Sequence, residues 1–557
     1  MAEKPHAPGT GRTNTGPTGA EQKNADSLRE NREGQAKPSV ALQKAAVEHG
    51  SSHPARVQGA SADRPSAGES DREPTAEDHA QPGQFGVHGV QTKRDWPCLT
   101  LAEVQSVLAH YPSAPSAPSA PSAPSAPSAP SAPSAVRIVW HSMRPFSAAA
   151  RVLVSPPDAV AEGDNRAHTF SQIAEHDVSL SQPEAAFILK RHHASLRTVA
   201  ALEEEHAFMQ HLAAKDVPVC LPVATRSGHT ALAQGEWTYE LFPPAPGQDD
   251  YRDVMSWKPY HSTAHARAAG QALGRLHLAA SDYAAPSRGE GTVPARQMQG
   301  TEAQAENASG KDDFSQSMAV PAGRPLTSSM NALGQSDLLP ALRQWVKEQP
   351  GLAEQLAPHT WEDDVQAVLT PFHTVLRPLL PHIRSCWGHG DWHGSNLFWQ
   401  KPEETKTEAK VSCILDFGMA ERTCVPFDLA VAIERSMIDW LDLSRSHGVV
   451  AYAQLEAFLQ GYHATHPLCT AEWAQLVAFL PLVHVEFAFS EVAYFGTLLQ
   501  DHASADVAYT DYLLGHARWF AGPEGQALLD WLTRYAAHVS PVTDAPASSA
   551  SEHRPHA

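Results

Sequence analysis

The spacing of hydrophobic positions changes between residues 242 and 261 and divides the patterned part of the chain in two. Before that point, short apolar runs alternate with polar residues, as in half-buried strands. They predict strands at 136–140, 151–155, 187–190 and 237–242. One longer segment, 196–214, has apolar residues every three or four positions and predicts a helix. We therefore expect a small antiparallel β lobe with one main helix.

After residue 261 the apolar spacing is that of helices. The pattern predicts helices at 263–280, 338–357, 361–379, 428–443, 449–463, 471–499, 506–520 and 524–538. A shorter helix is expected over 99–111, where Thr100 is the N-cap and Glu103 completes a capping box. The fold class is accordingly α+β, with a large helical C-terminal lobe that follows a crossover near 243–260. A cleft between two such lobes is a usual place for a ligand.

Segments without a hydrophobic pattern lie outside the predicted lobes. Residues 1–95 and 541–557 are polar and predict disordered tails. Residues 112–135 are eight Pro-Ser-Ala triplets, which predict an extended linker. The remaining domain predictions are an N-terminal helix at 96–111, a β lobe at 136–245 and a helical lobe at 246–540, with polar insertions at 157–184 and 287–322.

Composition narrows the classes of function. The net charge of −20 argues against a nucleic-acid partner, which needs a basic surface. The chain has no apolar signal core at its N-terminus and no run of eighteen apolar residues, so we expect no membrane segment and a cytoplasmic location. The six cysteines are scattered and predict reduced thiols. The 31 histidines include no His-Glu-x-x-His pair, and the sequence does not favour a zinc site.

Two short motifs carry the most chemical information. The first is His-Gly-Asp-Trp-His-Gly-Ser-Asn at 389–396, and the second is Ile-Leu-Asp-Phe-Gly at 414–418. In kinase-type phosphoryl transfer, one aspartate accepts the hydroxyl proton, and an asparagine with a second aspartate binds Mg²⁺ on the ATP phosphates. We therefore predict Asp391 as the catalytic base and Asn396 and Asp416 as the magnesium ligands. His389 is expected to support the loop by hydrogen bonds.

The β lobe offers candidates for binding the nucleotide. Lys190 lies at the end of an apolar strand, and we predict that it binds the ATP phosphates. Arg191 is the competing candidate for this role. Glu205 lies on the apolar face of the next helix, where a buried carboxylate needs a partner, and we predict that it pairs with Lys190. The small residues at 144–150, with Ser147, would let backbone N–H groups approach the phosphates. Backbone groups from Glu240 to Phe242 are expected to contact adenine.

The same residues bear on three other functions. The segment from Gly390 to Gly394 also resembles the Gly-Asp-x-His-Gly opening of metallophosphoesterases, but the downstream metal-binding segments of those enzymes are missing from the sequence. A P-loop kinase is excluded because the chain has no Gly-x-x-x-x-Gly-Lys-Ser/Thr motif. A nucleotide-binding regulatory protein with weak or no catalysis remains an alternative, because the loop at 144–150 has no glycine.

With these motifs the chain resembles the aminoglycoside phosphotransferase and choline kinase-type family, which includes homoserine kinases and a bacterial stress-response Ser/Thr kinase. The resemblance rests on His389 to Asn396, on Asp416-Phe-Gly and on Phe427-Asp-Leu-Ala430. It implies a protein-kinase-like two-lobed fold and ATP with Mg²⁺ as cofactors. It also implies that Asp428 braces the catalytic loop.

The resemblance leaves the acceptor open. It implies transfer to a hydroxyl group, and we expect a small-molecule acceptor, with a protein Ser/Thr acceptor as the alternative. The acceptor pocket would lie in the helical lobe, where the carboxylates of Asp439, Glu486 and Glu491 would suit a cationic compound. No nucleic acid or membrane partner is expected, and the tails are candidates for binding protein partners.

Overall fold

The computed structural model describes residues 94–112, 136–142, 145–155, 184–288, 326–400, 408–443 and 448–539. The predicted tails, the Pro-Ser-Ala linker and the two polar insertions fall almost wholly outside these ranges. Within the described residues, no helix combines the length and the apolar character that crossing a membrane requires.

A five-stranded antiparallel sheet forms the first lobe, in the order β1-β2-β3-β5-β4. Its strands are β1 Val136–His141, β2 Ala148–Val154, β3 Ala185–His193, β4 Leu232–Gln234 and β5 Trp237–Phe242. Strand β2 begins three residues earlier than predicted, because Ala148 and Ala149 pair with Arg191 and Lys190. The lysine strand β3 therefore lies in the middle of the sheet.

Two helices belong to this lobe. Helix α1, Leu101–Leu108, has the predicted capping box between Thr100 and Glu103 and buries Val104 and Val107. Helix α2, Val199–Ala213, begins at the N-cap Thr198 and buries an apolar face. The fold-class prediction of a small antiparallel β lobe with one main helix is confirmed.

The second lobe is helical. Its helices are α3 Thr263–Ala280, α4 Leu338–Glu348, α5 Leu352–Leu356, α6 Trp361–Asp364, α7 Thr370–Leu376, α8 Val425–Met437, α9 Tyr452–Thr465, α10 Thr470–Phe479, α11 Val485–Ala493, α12 His502–Val507, α13 Gly515–Ala521 and α14 Pro523–His538. The helix predicted over 471–499 is interrupted between α10 and α11. Pro481 lies in this interruption, where it lacks the backbone N–H that a continuing helix needs.

Two short antiparallel strand pairs carry the motif segments. Strand β6, Ser385–Gly388, pairs with β9, Glu421–Cys424, and β7, Leu397–Trp399, pairs with β8, Val411–Ile414. The first motif thus connects β6 to β7, and the second follows β8. Both motifs are short loops between paired strands, so their side chains are held by a rigid frame.

We predict that the packing of α1 stabilises the first lobe. Val104→Ala should lower the free energy of unfolding by about 1–3 kcal/mol, because it removes two buried methyl groups and leaves a cavity. The matched control is Leu101→Ala on the same helix, whose side chain is 46% exposed and whose loss should cost less than about 0.5 kcal/mol. Urea denaturation of both variants measures the difference, and equal effects would show that α1 does not pack on the sheet.

Candidate active site

A buried aspartate holds the loop between β6 and β7. Asp428, on the first turn of α8, accepts hydrogen bonds from the backbone N–H groups of His389 (2.8 Å) and Gly390 (2.7 Å). Its carboxylate is also 2.9 Å from Nε2 of His277 on α3. Burial alone would raise the pKa of Asp428, but its bond to His277 and the nearby charges hold the pKa below its usual value. The ionised carboxylate therefore ties three segments together.

The side chain of His389 joins the loop to the second motif. Its Nδ1 accepts a hydrogen bond from the backbone N–H of Asp391 at 3.3 Å, and its Nε2 donates to the carbonyl of Leu415 at 2.9 Å. Since Nδ1 accepts, the ring proton lies on Nε2. The ring thus fixes Asp391 relative to the end of β8.

Asp391 is surrounded by polar groups on one wall of a cavity. Arg435 Nη2 and His393 Nε2 each lie 3.4 Å from one of its carboxylate oxygens. Burial alone would raise the pKa of Asp391, but Arg435 and His393 hold the pKa well below its usual value. The Arg435 ion pair lacks hydrogen-bond geometry, which leaves Oδ1 without a hydrogen-bond partner among the described residues. Asp391 is thus an ionised carboxylate with an oxygen that can accept a proton donor.

Asn396 and Asp416 face the same cavity. The amide nitrogen of Asn396 donates to the backbone carbonyl of Asp391 at 2.9 Å and to its Oδ2 at 3.2 Å. These bonds turn the amide oxygen away from Asp391, so it is the atom of Asn396 that can bind a cation. Asp416 has φ 56° and ψ 70°, a left-handed conformation that is costly for a non-glycine residue and concentrates at functional sites.

The predicted ion pair of Lys190 with Glu205 is wrong in this structure. Lys190 Nζ instead lies 3.2 Å from Asp416 Oδ1 and 3.8 Å from Glu240 Oε1. Burial alone would lower the pKa of Lys190, but Asp416 and Glu240 hold the pKa above its usual value. Lys190 is therefore a charged ammonium group at the cavity wall, beside the candidate cation ligand Asp416.

Glu205 has arginine partners that the sequence did not suggest. Arg197 Nε lies 3.2 Å from its carboxylate and Arg288 Nη2 lies 2.6 Å away. Arg288 is buried and also donates to the carbonyls of Ala201 and Ala420. Glu205 thus connects α2 to the segment after Asp416 rather than to the lysine strand.

Glu240 takes the place of the predicted carboxylate beside Lys190. It is buried in β5 directly opposite Lys190 in the strand register, and the predicted contact of its backbone with adenine stays a prediction. Its carboxylate also binds His192 at 3.0 Å and His206, on α2, at 2.8 Å. Phe242 ends β5 and packs edge-on against His206, and its contact with adenine stays a prediction.

The loop before β2 lies over the cavity. Ser147 and Phe146 both line it, and Phe146 has φ 68°, again left-handed for a non-glycine residue. Asp95 Oδ2 accepts a hydrogen bond from the Phe146 N–H at 3.1 Å and from the Tyr494 hydroxyl at 2.8 Å. The loop is thus fastened to the helical lobe through Asp95, a contact that the sequence did not predict.

Only one of the three predicted acceptor carboxylates reaches the cavity formed by the described residues. Asp439 is buried in an ion pair with Lys258 at 2.6 Å, and Glu486 accepts backbone N–H groups from Ala332 and Leu333, so neither lines the cavity. Glu491 does line it, is fully buried, and has no hydrogen-bond partner for either oxygen among the described residues. The predictions for Asp439 and Glu486 are therefore wrong.

Arg435 is one residue of this site that the sequence did not lead us to expect. Its guanidinium lies between the rings of Trp257 (4.1 Å) and Phe487 (4.8 Å), and all three side chains line the cavity. The sequence does contain an indication of this position. Arg435 follows Asp428 by seven residues, which is about two helical turns, so the two side chains lie on one face of the helix.

Gly390 gives a test of the loop geometry. It has φ +74°, and a Cβ there would lie 2.1 Å from the carbonyl oxygen of Met419. Gly228, with φ +87° and nothing within 4 Å, is the matched control for the backbone strain alone. We expect Gly228→Ala to cost about 1–2 kcal/mol of unfolding free energy and Gly390→Ala clearly more. Equal costs in denaturant unfolding would contradict the close contact between the two motifs.

Comparison with known proteins places the chain in a family. The model of the phosphotransferase enzyme family matches residues 170–473, more than half of the chain. Hydroxylysine kinase of Xenopus laevis is 31% identical over 111 residues, which are 19% of this chain and 28% of that protein. The chain thus spans about a quarter of the length of this relative.

Solved structures show the same kind of likeness at low scores. They include an aminoglycoside phosphotransferase from Alicyclobacillus acidocaldarius (TM-score 0.34, 13% identity, 67% of this chain and 98% of that one). Amicoumacin kinase hAmiN, in complex with AMP-PNP, Ca²⁺ and Ami, gives a TM-score of 0.35 at 13% identity, over 71% of this chain and 87% of that one. These TM-scores are too low to add anything to the family match. On the strength of that match, the chain belongs to the phosphotransferase enzyme family.

Proposed function

We propose that the protein is an ATP- and Mg²⁺-dependent kinase that transfers the γ-phosphate to a hydroxyl group of a small molecule. The observation that supports this most is the shared cavity of Lys190, Asp391, Asn396 and Asp416, which brings a cationic group, a free carboxylate oxygen and two oxygen ligands together. These are the parts that phosphoryl transfer between ATP and a hydroxyl requires.

In this proposal Asp391 binds and orients the acceptor hydroxyl through Oδ1. The acceptor oxygen bonds to the γ-phosphorus while the bond from that phosphorus to the β–γ bridging oxygen breaks, and the hydroxyl proton passes to Asp391. The depressed pKa of Asp391 makes it a weak base, so we expect the proton to move late, as in a loose transition state. Arg435 keeps the carboxylate ionised and in place between acceptor and nucleotide.

The residues present fit a magnesium ion. Asn396 offers an amide oxygen and Asp416 a carboxylate, and Mg²⁺ prefers oxygen ligands from one or two side chains together with phosphates. When bound, the metal neutralises charge on the phosphates. Lys190 would then leave its 3.2 Å contact with Asp416 to bind phosphate oxygens. The loop at Ser147 would offer backbone N–H groups to the phosphates, and backbone groups from Glu240 to Phe242 would contact adenine.

We propose that the acceptor carries an ammonium group that binds Glu491. A buried carboxylate without hydrogen bonds is costly, and burial raises the pKa of Glu491 well above its usual value. An ammonium group would supply the missing partner, while Phe146, Trp257 and Phe487 enclose the apolar part of the acceptor. The relative in Xenopus laevis is named a hydroxylysine kinase, and hydroxylysine carries a hydroxyl group together with amines. The depth of Glu491 favours a small molecule over a protein side chain.

Asp391→Asn tests the proposed catalytic role. The amide keeps the size of the side chain but cannot take the hydroxyl proton, so we expect kcat to fall by about 10²–10⁴-fold with little change in ATP affinity. Radiolabelled ATP with a panel of hydroxylated acceptors measures the transfer, and calorimetry measures ATP binding. A wild-type rate in the variant, or no ATP binding by the wild-type protein, would contradict the proposal.

Glu491→Gln tests the acceptor class. For an amine-bearing acceptor, kcat/KM should fall by about 10–100-fold, because a charged hydrogen bond contributes roughly 1.5–3 kcal/mol. For the analogue that lacks the amine, kcat/KM should change little. Glu486→Gln is the matched control on the same helix, since its carboxylate bonds to backbone N–H groups outside the cavity. The acceptor class is wrong if both variants affect the two acceptors alike.

A further inference from the structure

Three buried side chains outside the kinase chemistry meet beside Arg435. Glu434 lies on α8, His484 directly precedes α11, and His516 lies on α13. One carboxylate oxygen and one nitrogen from each ring lie within 4.8 Å of one another. Helices distant in sequence thus bring together a Glu-His-His set, which the family assignment and the proposed phosphoryl transfer do not use.

The ring of His484 is arranged as in a metal-binding histidine. Its Nε2 lies 3.0 Å from the carbonyl oxygen of Leu513 and donates to it, which places the lone pair on Nδ1. That Nδ1 is buried and has no hydrogen-bond partner among the described residues. Metal-binding histidines almost always donate their other N–H to such an acceptor, because this fixes the tautomer and the ring orientation.

The side chains of His516 and Glu434 are also held in place by their neighbours. His516 Nδ1 lies 2.7 Å from Glu434 Oε1, so one proton is shared between them. Trp440 stacks on the His516 ring at 3.5 Å, and its indole N–H donates to the backbone carbonyl of Glu434. All three ligand residues are at most 8% exposed. The cluster is therefore preorganised and shielded from bulk water.

We propose that Glu434, His484 and His516 form a binding site for a divalent transition-metal ion, best matched by Zn²⁺. Zinc binds imidazole nitrogens and carboxylate oxygens at about 2.0–2.2 Å, and three such protein ligands leave one coordination position for water. Binding draws the ligand atoms around the ion, and the proton shared by His516 and Glu434 leaves to solvent. The ion cross-links α8, α11 and α13 beneath the acceptor side of the cavity.

This site differs from the proposed magnesium site in chemistry, and none of its three residues lines the cavity that holds Asn396 and Asp416. Asn396 and Asp416 offer oxygen alone, which suits Mg²⁺, whereas two imidazoles favour zinc. The inference therefore does not depend on catalysis, and its test is a measurement of bound metal.

The experiment measures zinc per chain by mass spectrometry on the full-length protein, purified with Mg²⁺ present and then titrated with Zn²⁺. We expect one tightly bound zinc in the wild-type protein, and visible absorption bands on replacement by Co²⁺. His484→Gln and Glu434→Gln should weaken zinc binding by more than the roughly 10–100-fold that second-shell changes cost. Glu434→Gln can keep a hydrogen bond to His516, so it decides the question if His484→Gln does not fold.

Two controls separate this site from other histidines and from the catalytic cavity. His373 is also buried and bonded through Nε2 to a backbone carbonyl, that of Leu333, so His373→Gln should retain the zinc. Asp416→Asn should retain it as well. The proposal is overturned if the wild-type protein binds no stoichiometric zinc, or if both ligand variants bind zinc as the wild-type protein does.

Discussion

The site depends on two hydrogen bonds, which the carboxylate oxygens of Asp428 accept from the backbone N–H groups of His389 and Gly390. The carboxylate is completely buried, and its third contact, with His277, joins it to α3. A buried charge with no partner would be severely destabilising, so the loop, α3 and α8 must assemble together. The position of Asp391 follows from that assembly.

The same helix connects the loop to the wall of the cavity. Asp428 and Arg435 lie two turns apart on α8, so one rigid element orients the backbone of the loop and the carboxylate of Asp391. Glu434, adjacent to Arg435, extends this organisation down to His484 and His516. A single helix therefore contributes to loop geometry, to the charge beside Asp391 and to the buried histidine cluster.

The sequence predicted the parts of the site whose positions are set by short-range structure. Asp391, Asn396 and Asp416 occupy two loops between paired short strands, and spacing alone indicates such loops. The partners of Lys190 and Glu205 could not be predicted in this way, because Glu240 and Arg288 come to them through strand register and tertiary packing. The break at Pro481 was predictable, since proline cannot continue a helix with a complete set of hydrogen bonds.

The surroundings of the three carboxylates predicted for an acceptor pocket were the least predictable, because the sequence around such a carboxylate does not indicate whether it faces a cavity, a backbone N–H group or a lysine. Glu491 faces the cavity, Glu486 accepts backbone N–H groups, and Asp439 pairs with Lys258. A crystal structure with a non-hydrolysable ATP analogue and Mg²⁺ is the most direct test of the proposed metal and nucleotide site. We expect the metal about 2.0–2.1 Å from the Asn396 amide oxygen and an Asp416 carboxylate oxygen, with the γ-phosphate facing Asp391. A nucleotide bound elsewhere, or a metal without these ligands, would contradict it.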